Sequence, residues 1–93
     1  MAKSIISNEK KCFLCGSTQW IEKHHVFGGA CRKLSEKYGL TVFLCHYCHN
    51  EPGGVHHSAE VREKLQKQVQ EAAMKHYGWD ERIFITIFGR NYT

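Results

Sequence analysis

The sequence predicts a small α+β fold that forms a single domain. The chain has 93 residues, a length that suits one domain with a modest core. Two segments, at 18–27 and 40–44, are rich in the β-branched and aromatic residues that strands favour. Apolar residues at helical spacing begin at Val61 and predict a long helix in the C-terminal part of the chain.

The N-terminal segment predicts an arm rather than part of the core. Residues 1–11 are polar, carry three lysines and are expected to be flexible, whereas residues 12–93 are expected to form the domain. The first residues lack the apolar segment of a secretory signal. No apolar run approaches the roughly 18–20 residues that cross a membrane. We therefore expect a cytoplasmic protein.

The elements of the first half follow from local signals. A pair of glycines ends the strand predicted at 18–27, because consecutive glycines interrupt regular structure. A short helix is predicted over 31–38, and Gly39 suits the left-handed residue that ends it. The second strand, at 40–44, leads directly into a cysteine pair. Residues 50–55 contain proline and glycine and predict a loop.

The second half predicts two helices. Ser58 is a suitable N-cap for the long helix, and Gly78 is a suitable stop. The stretch 83–88 has the β-branched and aromatic content of a strand. A short terminal helix is nevertheless favoured there, because a cap residue precedes the stretch and a glycine follows it, namely Asp80 and Gly89.

The five cysteines predict a structural zinc ion. Cys12 and Cys15 form one C-x2-C pair, and Cys45 and Cys48 form another, so that two turns supply the four sulfur ligands of a tetrahedral site. In a reduced compartment, paired cysteines indicate metal before disulfide, although buried or redox-active thiols are the alternative. The 29 residues between the pairs exceed the roughly 15–20 of a zinc ribbon, so other structure is inserted there. Cys31 has no partner at ligand spacing and is predicted to be a free thiol.

The histidines predict a second, open metal site. His24 and His25 stand at the end of a predicted strand, where one can bind a metal while its neighbour addresses a water molecule or substrate. His49 directly follows a zinc-binding cysteine, which would fix its position. With His24 and either His56 or His57, it could form an incomplete ligand set of the kind that a catalytic ion needs. The alternatives are a core or surface role for one of the first pair, and an exposed position for His57.

The order of these motifs resembles the HNH endonucleases of the ββα-metal type. A cysteine pair is followed by His-His at a strand end, a strand, a cysteine pair with a trailing histidine, and a helix. This resemblance covers about residues 12–75. Four stretches resemble more closely the phage proteins of the recombination-enhancing, RecA-dependent nuclease family: HHVFGGA at 24–30, RKLSEKYG at 32–39, GVH at 54–56 and FGRNY at 88–92.

The resemblance implies a zinc-stapled ββα-metal domain and a role for each histidine. His24 would be the first ligand of a catalytic Mg²⁺, Mn²⁺ or Zn²⁺ ion, and His25 would be the general base. His49 and His56 would be the later ligands, with His57 as the alternate. The asparagine of the HNH name, which normally orients the segment of the base, is missing from the corresponding stretch, 39–41.

The activity implied by the resemblance is hydrolysis of DNA phosphodiester bonds, with one site nicking one strand. The resemblance also implies a phage origin, with DNA as the expected partner and a recombinase filament as a second partner. The formal charge of +4 is compatible with nucleic acid. Three basic residues are candidates for phosphate contacts, with a solvated helix face as the alternative: Arg32, Lys33 and Lys37.

Two other functions stay open at the level of sequence. A non-catalytic zinc-binding module that recognises nucleic acid or protein would share the cysteine site and need no second ion. A thiol-redox protein would use the cysteine pairs differently. Nicking of supercoiled plasmid and metal analysis distinguish the three.

Overall fold

The computed structural model describes residues 3–50 and 54–93. They form a small α+β domain with a two-stranded antiparallel sheet, as predicted. No helix within these residues is long and apolar enough to cross a membrane. The elements, in chain order, are β1 (Ile21–His25), a 3-10 turn (Gly29–Cys31), α1 (Arg32–Tyr38), β2 (Thr41–Cys45), α2 (His46–Asn50), α3 (Ala59–Tyr77) and α4 (Glu81–Phe88).

The sheet sets the position of the paired histidines. In the register of β1 and β2, His24 lies opposite Val42 and His25 lies opposite Thr41. Val42 is 1% exposed, so the middle of the sheet packs against the core. The strand prediction is confirmed in kind, but the segment predicted at 18–27 is too long at both ends, since β1 spans Ile21–His25. It cannot begin earlier because Trp20 has φ 51°, a left-handed conformation that ends extended backbone.

Helix α1 fills the connection between the two strands. The prediction of a helix over 31–38 is confirmed to within one residue, and Gly39 ends it at φ 72°. The buried Ser35 fastens the helix to the end of β1, since its Oγ donates to the Phe27 carbonyl at 2.7 Å and accepts from the Phe27 amide at 3.1 Å. The outer face of α1 is thereby held next to the paired histidines.

Helix α2 was not predicted. It starts directly after β2 and includes Cys48, the second member of the second cysteine pair. Asn50, where a loop was expected, is also helical. Residues 51–53 of that predicted loop lie outside the described residues. After them, the Val55 amide donates to the Cys48 carbonyl at 2.8 Å, and the Val55 side chain is fully buried. The chain therefore returns against α2 before it enters α3.

Helix α3 confirms the predicted cap, stop and apolar stripe. Ser58 accepts a hydrogen bond from the Val61 amide at 3.3 Å, and Gly78 ends the helix at φ 70°. Three apolar residues of the stripe are buried, namely Leu65, Val69 and Ala73, whereas His76 and Tyr77 in the last turn of the helix are exposed.

A buried glutamine on α3 anchors the C-terminal segment. Gln70 is fully buried, and its Nε2 donates to Asn91 Oδ1 at 2.7 Å while its Oε1 accepts from the Tyr92 amide at 2.6 Å. A buried amide must satisfy its hydrogen bonds, and here the chain end does so. The stripe of apolar residues did not reveal this position.

Helix α4 confirms the helical prediction for 83–88. Asp80 accepts from the Ile83 amide at 2.9 Å, and Gly89 ends the helix at φ 87°. Its two buried phenylalanines pack on Phe27 with ring centroids 5.5 and 5.1 Å away, namely Phe84 and Phe88. The segment that follows β1 therefore packs against α4 as well as α1.

The predicted arm, residues 1–11, contacts the sheet where it is described. Residues 1–2 lie outside the described residues. Ser4 Oγ donates to the Thr41 carbonyl at 2.5 Å, and the Ile5 amide donates to the Gly39 carbonyl at 2.9 Å. Ile5 also packs against the core, so this part of the N-terminal segment lies against the start of β2.

Candidate metal centres

The four paired cysteines converge on one point. The Sγ atoms of Cys12, Cys15, Cys45 and Cys48 all lie within 4.8 Å of one another, and the Cys15–Cys45 pair is 3.6 Å apart. Tetrahedral zinc with bonds of about 2.3 Å requires sulfurs about 3.8 Å apart, whereas a disulfide requires about 2.05 Å. The cluster therefore has the spacing of a structural metal site, and its four cysteines are free of disulfides.

Backbone contacts preform this cluster. The Phe13 amide donates to the Phe43 carbonyl at 2.8 Å, which fastens the first cysteine turn to β2. The second pair follows on the same strand and the first turn of α2. Two distant parts of the chain are thus brought together by a backbone hydrogen bond to β2.

The protonation of the thiols also favours a cation. Burial acts to raise the pKa of Cys12, but hydrogen bonds from the backbone at Cys45 and Cys15 outweigh it and lower the pKa to about 6. Burial and then the neighbouring cysteines raise the pKa of Cys48 well above its usual range. Four crowded thiols cannot all ionise unless a cation offsets their charge.

Three histidines form a second cluster. The nearest ring nitrogens of His24, His49 and His56 lie within 4.8 Å of one another, and the two Nε2 atoms of His49 and His56 are 3.0 Å apart. Metal–nitrogen bonds of about 2.0–2.1 Å place neighbouring ligand nitrogens about 2.9–3.4 Å apart. The three rings come from β1, α2 and the segment before α3. His57, the alternate ligand, is exposed and lies outside the cluster.

His24 lies deepest in this cluster. It is 7% exposed. Burial, followed by the proximity of His49 and His56, lowers its pKa to about 3. Burial and then His49 likewise lower the pKa of His56. At neutral pH both rings are therefore neutral, which is the form that coordinates a metal.

A carboxylate orients the second ligand. Glu22 Oε1 accepts a hydrogen bond from His49 Nδ1 at 2.7 Å, which leaves the Nε2 lone pair directed into the cluster. The hydrogen bond from His49 is the main reason that the pKa of Glu22 is lowered. Sequence reasoning missed Glu22, although its position two residues before His24 on a strand places both side chains on one face.

A second carboxylate contacts the candidate base. His25 Nε2 lies 3.2 Å from Glu36 Oε2, and Lys23 Nζ lies 2.7 Å from the same oxygen. Lys23 and His25 occupy the face of β1 opposite that of His24 and Glu22. At the end of β1, however, His25 and the three clustered histidines line the same cleft.

The cleft gives a substrate access to both groups. It has a volume of about 250 Å³ and is lined by all three clustered histidines, by His25 and by Gly28 and Gly29. Arg32 also lines it, whereas Lys33 and Lys37 are exposed elsewhere on α1. Of the three basic residues expected to contact phosphate, Arg32 is the one placed at the site.

The remaining cysteine lies apart from both clusters. Cys31 is partly exposed, and its Sγ donates to the Phe88 carbonyl at 3.3 Å. This contact links the 3-10 turn to α4. It is consistent with the predicted free thiol.

No family model, curated protein or solved structure matches this chain. The two clusters are connected through α2, where Cys48 of the first cluster is followed directly by His49 of the second. An ion bound by the four thiolates would hold α2, and with it one histidine ligand, in place.

Proposed function

We propose that this protein is a metal-dependent endonuclease of the HNH, ββα-metal type that hydrolyses DNA phosphodiester bonds. The observation that carries the proposal is the convergence of His24, His49 and His56 beside an open cleft that also contains His25. Three imidazole ligands leave coordination positions open for water and substrate, as a catalytic ion requires. A purely structural zinc module has no use for such a cluster.

The order of the elements supports the same proposal. The first ligand lies on β1, the sheet is completed by β2, and the second ligand lies on the helix that follows. This is the strand–strand–helix order that names the ββα-metal type. The stretches quoted above add a likeness to the phage recombination-enhancing nucleases, which is part of the proposal.

The residues divide the reaction between them. A divalent ion held by His24, His49 and His56 would offset the negative charge that builds on the phosphate. His25 removes a proton from the attacking water, because an imidazole can accept a proton at neutral pH. A phosphorus–oxygen bond forms, the bond to the 3′ oxygen breaks, and that oxygen is protonated from solvent. Arg32, at the rim of the cleft, contacts a phosphate oxygen.

Plasmid nicking tests the proposal. The zinc-loaded protein should nick supercoiled DNA with Mg²⁺ or Mn²⁺, and EDTA should abolish the reaction. His25→Ala should reduce the rate by about 10²–10⁴-fold but retain the second ion, whereas His24→Ala should lose both activity and ion. His57→Ala is the matched control, since this exposed neighbour lies outside the cluster.

Other results of these experiments would contradict the assignment of the base or the nuclease function. Undiminished cleavage by His25→Ala would end its assignment as the base. Binding of DNA or protein with no cleavage under any divalent ion would favour the non-catalytic zinc module. Addition of a recombinase filament on the DNA tests the second partner, and faster cleavage is the expected result.

A further inference from the structure

The proposed base, His25, requires a group that holds its ring in position. In the HNH pattern, an asparagine near the start of the second strand orients the segment of the base. Residues 39–41 contain no asparagine here, as the sequence shows. A different side chain must therefore take over this task if His25 is the base.

We infer that Glu36, on α1, is the positioning residue for His25. This inference rests on the proposed nuclease function. A carboxylate can only accept a hydrogen bond, so the 3.2 Å contact requires that His25 Nε2 carries the proton and donates to Glu36 Oε2. This contact fixes both the tautomer and the orientation of the His25 ring. It leaves Nδ1 as the nitrogen that accepts a proton.

The position of Glu36 is itself fixed from two directions. Lys23 Nζ lies 2.9 Å from Oε1 and 2.7 Å from Oε2, so the carboxylate cannot turn away from β1 without losing an ion pair. The neighbouring Ser35 is fully buried and bonded to both backbone groups of Phe27. The helix that carries Glu36 is therefore anchored one residue away, next to the end of β1.

The same geometry serves the step after proton transfer. Once Nδ1 has taken the proton from water, the ring is an imidazolium ion, and the carboxylate next to Nε2 stabilises its charge. This is the role that an acidic residue plays beside the histidine of a hydrolytic triad. The Glu36 side chain is 28% exposed and that of His25 is 16% exposed, so water screens this contact only in part.

The competing explanation is that Glu36 only pairs with Lys23 to join α1 to β1. Three variants separate the two explanations. Glu36→Ala removes both contacts, and Glu36→Gln keeps an acceptor oxygen for His25 without the negative charge. Lys23→Met removes the ion pair but leaves the contact with His25.

The first measurement is steady-state nicking by the zinc-loaded full chain with Mg²⁺. For Glu36→Ala we expect kcat to fall by about 10–100-fold, with KM and the affinity for the catalytic ion unchanged. Glu36→Gln should recover part of that loss, and Lys23→Met should lose clearly less kcat than Glu36→Ala, because it removes one restraint on the carboxylate but leaves the contact with His25. Equal kcat for Glu36→Ala and wild type, or an equal loss in Lys23→Met, overturns the inference while the nuclease function stands.

The second measurement does not need activity. Long-range ¹H–¹⁵N spectra at about pH 8, where free imidazoles are neutral, report which ring nitrogen carries the proton. We expect His25 to be protonated at Nε2, with an Nε2 shift that changes in Glu36→Ala. Protonation at Nδ1, or spectra of His25 that are identical in the two proteins, overturns the inference. A wild-type chain that never cleaves DNA instead refutes the proposed function.

Discussion

The contact between Glu22 and His49 gives the sharpest test of the histidine cluster. Replacing Glu22 with alanine removes the carboxylate that accepts from His49 Nδ1 at 2.7 Å. Without this acceptor the ring can rotate, and its proton can move to Nε2, the nitrogen that faces the cluster. The variant should therefore bind a divalent ion at the three histidines less tightly, although it keeps all three ligands.

The expected loss of metal affinity in Glu22→Ala follows from the length of the hydrogen bond and from the exposure of the Glu22 side chain. Loss of an acceptor behind a metal-bound histidine costs about 10–100-fold in metal affinity. The bond at 2.7 Å is short, as expected for a charge-assisted contact. The Glu22 side chain is 38% exposed, however, so solvent screens it and water can replace it in part. We therefore expect a loss near the lower end, about tenfold.

The assay is a titration with Mn²⁺ or Co²⁺ of protein whose cysteine site is already loaded with zinc. Calorimetry or the absorption of Co²⁺ gives the dissociation constant. His46→Ala is the matched control, because its ring contacts the same carboxylate at 3.4 Å but lies outside the three-histidine cluster. An unchanged dissociation constant in Glu22→Ala would refute the role of this carboxylate, and an equal loss in His46→Ala would show a general disturbance of α2.

Three further predictions concern folding. Cys48→Ser should leave the chain unfolded by circular dichroism and poor in zinc, because a structural zinc site contributes about 10–16 kcal/mol, as much as a whole domain of this size. Gln70→Leu should lower the free energy of unfolding by roughly 1–3 kcal/mol in denaturant titrations, because it leaves the Tyr92 amide unpaired, whereas the exposed Gln68→Leu should change little. Lys23, and then His25, hold the pKa of Glu36 below its ordinary 4.5, so its contribution to stability is present above that pH and is lost as the pH falls through the lowered value. Glu36→Gln should therefore lose stability less steeply than wild type in acid, and parallel curves would contradict this.

Local signals predicted much of the fold. The caps and stops of α3 and α4 are where Ser58, Gly78, Asp80 and Gly89 stand, because capping depends on side chains within a few residues of the helix end. The short helix α2 escaped prediction, since its five residues overlap a cysteine pair whose turn already explained them.

Partners far apart in the chain could not be predicted in the same way. Glu22 and His49 are 27 residues apart, and His25 and Glu36 are 11 apart. The sequence patterns gave neither carboxylate a role, although Glu36 lies within the stretch RKLSEKYG. Each became a candidate for function only when the path of the chain placed it beside a histidine.

The sequence by itself determined which atoms can bind a metal, because ligand chemistry is a property of residue type and the C-x2-C spacing closes within one turn. It also supplied the three histidines as candidates. The tertiary structure decided that His56 rather than His57 joins the cluster. It also decided that Glu22 contacts His49 and that Glu36 contacts His25. The physical reason is that such contacts depend on the register of β1 against β2 and on the direction of the helices, which are settled by packing over the whole domain.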